Sequence, residues 1–124
     1  MTPNMTPHAL WTRYAGIWSA DPATRASELQ ACLHEDCSYS DVNGQLVGQA
    51  ALSAYMGGFQ GAMSGAQFHI LSAAEHHGRS LSVWELRGTG NAVLQSGKSF
   101  AALSPDGRLQ HITGFFDSAI EAAR

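Results

Sequence analysis

The chain has 124 residues, enough for one domain whose core needs neither disulfides nor metal. Apolar residues make up 44% and charged residues 14%, a balance that excludes a disordered chain and points to a buried pocket, an oligomer interface or a lightly charged monomer. The net charge is −3 and Lys and Arg are scattered, so the basic stripe that a nucleic-acid backbone requires is missing and no nucleic-acid partner is expected. No apolar run nears the roughly 20 residues of a bilayer span. Met1 to Pro7 lacks the charged and apolar regions of a signal peptide, so no membrane partner and a cytoplasmic location are the expectation.

Along the chain, Leu10, Trp11, Tyr14, Ile17 and Trp18 recur at helical spacing and predict a helix over Thr6 to Ser19, with Thr6-Pro7 as its start. Asp21-Pro22 repeats that start signal for a second helix through Ala26, Leu29 and Leu33. Cys32 and Cys37 read as reduced, buried residues at the junction that follows, two cysteines being too few for a disulfide framework. Cys37 to Val42 alternates as a short strand ended by the turn pair Asn43-Gly44. A third helix fits Gln49 to Gln60, its last turns weakened by Gly57-Gly58. Four strands follow at Gln67–Ala74, Arg79–Arg87, Ala92–Leu103 and Arg108–Asp117, and their short connections predict an antiparallel meander. The fold class is therefore α+β, helices on one concave sheet face, in one domain over residues 1–124.

Alternation in the strands locates a cavity. Gln110, Ile112, Gly114 and Phe116 share one face, and Leu109, His111, Thr113, Phe115 and Asp117 the other. Ser82, Trp84 and Leu86 face opposite to Leu81, Val83, Glu85 and Arg87. The expected lining is Trp18, Tyr39, Tyr55, Phe59, Ser82, Trp84, Leu86, Ile112, Gly114 and Phe116, which suits a flat, apolar, carbonyl-bearing molecule. The same residues would serve as plain core, and Trp18 and Trp84 are bulky enough to fill the space. Asp41 shares a face with Tyr39 and Cys37; partial desolvation there raises a carboxyl toward general-base values. An Asp ending a strand also hydrogen-bonds the turn it precedes, and both readings stay open. The histidines, with His76-His77 in a turn and His111 facing away from the pocket, lack zinc spacing, so no metal is expected; no nucleotide fingerprint is present and no cofactor is expected.

The order Arg13-Tyr14, Ser40-Asp41-Val42-Asn43-Gly44-Gln45, Gly48, Tyr55, His77-Gly78 and Asp106-Gly107-Arg108-Leu109 resembles the ketosteroid isomerases and SnoaL-like proteins of the nuclear transport factor 2-like superfamily, over roughly residues 8 to 117. The resemblance implies a cone-shaped fold in which three N-terminal helices pack on a curved antiparallel sheet around an apolar pocket. It places the general base on Asp41 and an oxyanion-binding tyrosine on Tyr14. The second oxyanion donor, a protonated aspartate in the family, falls on Ser99, and supporting tyrosines of one branch fall on Leu33 and Met56. It further implies a homodimer through the outer sheet face, for which Leu81, Val83 and Phe115 are suitably apolar. The expected activity is Asp41-based proton transfer on a small apolar carbonyl compound, steroid- or polyketide-like, as in an isomerase or cyclase. The alternative is a non-catalytic module that binds a small hydrophobic ligand or dimerises. Arg87 and Glu85 face away from the cavity, which disfavours the Asp-Arg-Asp chemistry of the epoxide hydrolases that share the fold.

Overall fold

Both early helices begin where a side-chain oxygen can cap them. Thr6 Oγ1 accepts the Ala9 amide at 3.1 Å ahead of α1 (Pro7–Ile17), and Asp21 accepts the Thr24 amide at 2.9 Å ahead of α2 (Pro22–Cys32). The structure, a computed structural model, describes residues 5–122. Residues 1–4, part of the segment read above as lacking a signal peptide, and residues 123–124 lie outside the described residues. After α2 come β1 (Leu33–Asp41), β2 (Gly44–Val47), α3 (Gln49–Ala62), β3 (Gln67–His76), β4 (Arg79–Arg87), β5 (Val93–Leu103) and β6 (Leu109–Phe116). Among the described residues no helix is long and apolar enough to cross a membrane.

The three helices pack on a six-stranded sheet of order β2-β1-β6-β5-β4-β3, an α+β architecture. Beyond shifts of one or two residues at other element ends, the elements depart from the sequence reading in three places. Leu33 was expected to continue α2 but opens β1, because it pairs with Leu109 across the sheet and is wholly buried there. Tertiary pairing outweighs its helical spacing. Strand β2 was not expected; it is an edge strand of four residues with only alternate positions half-buried, too short to carry a periodic signal. Helix α3 runs through Gly57 and Gly58 to Ala62, held by the buried Leu52 and Met56.

The sheet is also not purely antiparallel. Strands β1 and β6 run parallel, with Ser38, Tyr39 and Ser40 beside His111, Ile112 and Thr113, while every other neighbour pair is antiparallel. Most of the chain separates β1 from β6, so no hairpin dictates their relative direction. A register shift between Ala102 and Leu103 turns Leu109 inward, where it is fully buried; simple alternation had assigned it to the outer face.

A few polar bonds fasten the helices to this sheet. The buried Trp11 indole donates to Ser80 Oγ at 2.8 Å, joining α1 to β4. Arg13 grips Glu28 through two bonds of 2.7 and 2.8 Å, joining α1 to α2. The buried Arg25 guanidinium donates to Ser53 Oγ, Gln60 Oε1 and the Ala20 carbonyl, and Gln60 in turn donates to the carbonyls of Trp18 and Ala20. One buried arginine thus seats α3, which carries one wall of the cavity.

Gly97 decides how closely the sheet and its largest side chain approach. A Cβ there would lie 2.3 Å from the Phe115 carbonyl oxygen and 2.4 Å from the Trp84 ring, with no flexible group able to yield. Gly97→Ala is expected to cost about 3 kcal/mol or more, at the upper end of overpacking penalties. An unchanged midpoint in chemical denaturation would contradict this account of the Trp84 packing.

Candidate functional site

The concave side of the sheet encloses a cavity of about 580 Å³. Its floor is one row across four strands. Ser82 on β4 pairs with Ser99 on β5, Ser99 pairs with Gly114 on β6, and a Cβ on Gly114 would sit 3.9 Å from Asp41 Cβ on β1. All four side-chain positions are small or polar, so the row leaves space and carries hydrogen-bonding groups. The walls are aromatic. Trp18 stands at the centre, with ring centroids 5.4–6.0 Å from Tyr39, Tyr55, Phe59 and Phe68, while Phe68 and Phe116 flank Trp84 at 5.2 and 5.9 Å. Most of these contacts are edge-to-face, the arrangement favoured by ring quadrupoles, and they leave the rings as a cage around open space.

Asp41 ends β1 and accepts bonds from four donors. Its Oδ1 takes the Asn43 amide at 2.8 Å, the Gly44 amide at 3.1 Å and the Tyr55 hydroxyl at 2.8 Å. Its Oδ2 takes the Tyr39 hydroxyl at 2.7 Å and the same Tyr55 hydroxyl at 3.1 Å. Every partner donates, the pattern that an acceptor-only, ionised carboxylate satisfies. The strand-end bonding to the turn read from the sequence is present, and the same side chain lines the cavity. The ring of Tyr55 lies 3.3 Å from where a Gly44 Cβ would be, so glycine at the turn admits the tyrosine that reaches Asp41.

Tyr14 projects from α1 into the same cavity. Its hydroxyl is buried and, among the described residues, is the one buried side-chain polar atom with no hydrogen-bond partner. Burial pushes its phenol well above the ordinary range; the Trp18 indole, one turn along α1, is near enough to temper that shift but closes no hydrogen bond. An orphaned buried hydroxyl is costly unless a ligand completes it. On the floor, Ser99 Oγ accepts the Trp84 indole N–H at 3.0 Å, which leaves its own O–H free to donate.

Of the residues singled out from sequence, Tyr14, Trp18, Tyr39, Asp41, Tyr55, Phe59, Ser82, Trp84, Leu86, Ser99, Gly114 and Phe116 line this cavity. Ile112 does not. It pairs with Tyr39 and Ala101 one row away from the floor, fully buried in the core. Phe68 and Ile70 of β3, Gln95 of β5 and Asn43 also line the cavity; strand alternation could have indicated the first three, whereas the turn position Asn43 carries no such signal. Glu85 and Arg87 pair with each other at 2.9 Å outside the cavity. Burial pushes the Cys32 thiol up to about 11 and the Cys37 thiol upward as well, so neither is activated as a nucleophile. Among the described residues no group of three or more His, Cys, Asp or Glu side chains could hold a metal ion.

The family model for the SnoaL-like domain matches residues 11–116, the stretch that builds both cage and floor. The chain belongs to the SnoaL-like family. No curated protein matches it. Among solved structures, a proposed isomerase of the SnoaL-like family from Agrobacterium tumefaciens superposes with a TM-score of 0.84 at 22% identity, covering 91% of this chain and 99% of that one. A proposed ketosteroid isomerase from Kribbella flavida gives 0.67 at 17% identity, covering 95% and 82%. A proposed polyketide cyclase from Sinorhizobium meliloti gives 0.66 at 14% identity, covering 86% and 93%. This SnoaL-like domain shares their nuclear transport factor 2-like fold.

The chain has three tyrosines, and all three line the cavity. Burial is the leading cause that holds each above its ordinary value; Tyr55, donating to Asp41, is pushed up to about 12. Tyrosinate absorbance of the folded protein should therefore show no transition near the ordinary value of 10.0. Because these pKa values are raised on folding, the stability they contribute is complete below pH 10.0 and falls as pH climbs toward about 12. A full phenol titration near the ordinary value in the folded protein would contradict this site.

Proposed function

We propose that this SnoaL-like domain is a cofactor-independent enzyme that moves a proton on an apolar, carbonyl-bearing ring compound. The observation that supports it is the unpartnered Tyr14 hydroxyl, buried in the cavity whose floor carries the Asp41 carboxylate. A carbonyl oxygen of the substrate would accept from Tyr14 and from Ser99. Asp41 would take a proton from the carbon beside that carbonyl, and the electron pair left behind would move onto the oxygen as an enolate. The two donors stabilise this charge in a site walled by aromatic rings, where preorganised bonds are worth most. Asp41 then returns the proton to the conjugated carbon, and the double bond shifts with no net gain or loss of atoms.

The carboxylate geometry favours one oxygen for this work. Three bonds, two of them from backbone amides, anchor Oδ1, whereas Oδ2 holds one short bond from Tyr39 and the longer branch from Tyr55. Oδ2 is the oxygen that would take the proton, since both its donors are hydroxyls that can rotate away. The same set of bonds also favours a second reading, a ligand-binding module in which Asp41 only braces the wall. Asp41→Asn separates the two. On a β,γ-unsaturated ketone, followed by conjugated-enone absorbance, the enzyme reading expects a loss of about 10²–10⁴-fold. Retained turnover in the variant would exclude Asp41 as the base, and no turnover in either protein alongside unchanged ligand binding would favour the module. Tyr14→Phe is expected to lower kcat by about 10²–10³-fold, the cost of removing one oxyanion donor.

The outer sheet face is proposed to meet a second copy. Leu81 pairs with Phe100, and Phe115 lies beside Lys98; these three apolar side chains are exposed in a single chain. Sedimentation showing a monomer at micromolar concentration would remove this expectation.

A further inference from the structure

The cavity opens beside α3. Among its lining residues, Asn43, Ala54, Gly58 and Ala62 are exposed to solvent, which makes them the rim of the opening. Ala54, Gly58 and Ala62 stand four residues apart on one face of α3, and Asn43 of the β1–β2 turn lines the same cavity. Three glycines interrupt this helix, and their surroundings differ. A Cβ on Gly57 would lie 3.3 Å from the Arg25 guanidinium, so packing accounts for that position. Gly58 and Gly61 both look into open space, and neither has the backbone angle that requires glycine. Only Gly58 of these two lines the cavity. Glycine inside a helix is unfavourable relative to alanine. At Gly58, as at Gly61, packing does not require glycine; what sets Gly58 apart is that its missing side chain would stand at the cavity lining. Inside that opening the unpartnered Tyr14 hydroxyl marks the position of a ligand acceptor.

We propose that ligands enter the cavity across α3, and that Gly58, between Ala54 and Ala62, sets the width of this portal and so selects flat ring systems that pass edge-on. The proposal rests on the reading that the cavity receives an apolar ring compound, but its test needs no turnover. The aromatic cage suits the same ligand chemistry: Trp18, Phe59 and Phe68 brace one another and line the cavity, where they offer ring faces and edges to a planar ring.

The test is the association rate of prodan, a neutral carbonyl-bearing naphthalene dye, measured by stopped-flow fluorescence with wild type, Gly58→Leu and Gly61→Leu. A large side chain at Gly58 is expected to slow association at least about tenfold, while the same change at Gly61 leaves it within about twofold. Gly58→Ala and Gly61→Ala should both raise the melting temperature through helix propensity, and only the first should slow prodan. This smaller pair keeps the comparison available if a leucine variant misfolds. Equal slowing at both positions would mean that helix stiffness rather than portal width governs entry, and would overturn the proposal. Unchanged rates at Gly58, or no prodan uptake by wild type, would overturn it too. Loss of the Asp41-dependent turnover expectation alongside a Gly58-specific rate effect would sink the proton-transfer reading and leave the portal standing.

Discussion

Asp41 joins three pieces of the molecule through one carboxylate. The amides of the β1–β2 turn, the Tyr39 hydroxyl on β1 and the Tyr55 hydroxyl on α3 all donate to it. A half-buried carboxylate beside aromatic rings is expensive unless its lone pairs are satisfied, and these four donors satisfy it. The consequence reaches beyond the residue itself. Tyr55 can bond Asp41 only if α3 is seated at the right height, and that seat is the buried Arg25 with its bonds to Ser53 and Gln60. Turn, strand and helix are therefore positioned by two polar clusters, one on each side of α3.

The cavity survives because the residues around it resist collapse. Trp18 touches four rings mostly edge-on, so the cage is braced rather than stacked shut. Glycines act on the opposite wall. Gly97 lets the Trp84 ring lie against β5, which places its indole N–H on Ser99, and Gly114 keeps a side chain off the floor between Ser99 and Asp41. The floor is thus polar and low while the walls are tall and apolar. In the proposed function that combination would orient a ligand, its apolar body against the rings and its acceptor toward the Tyr14 hydroxyl.

Leu33 and Met56, where the resemblance would put tyrosines supporting the oxyanion tyrosine, are fully buried apolar residues. Among the described residues the Tyr14 hydroxyl has no hydrogen-bond partner, and the other two tyrosines donate to Asp41. In the proposed reaction this makes Tyr14 more dependent on the ligand itself for a partner.

By itself the sequence determined the class and most of the wall. Helical spacing in α1, the capped starts at Thr6 and Asp21, and alternation in β4 identified the elements, because local periodicity reports which face each side chain takes. The family resemblance pointed to Tyr14, Asp41 and Ser99, and all three line the cavity. What the sequence could not decide were relations between distant strands. The parallel pairing of β1 with β6, the inward turn of Leu109 at a register shift, the removal of Ile112 from the cavity wall and the row joining Ser82, Ser99, Gly114 and Asp41 all depend on which residue stands beside which across the sheet. Alternation assigns a face but not a neighbour, and a single bulge inverts it; only tertiary packing sets the register.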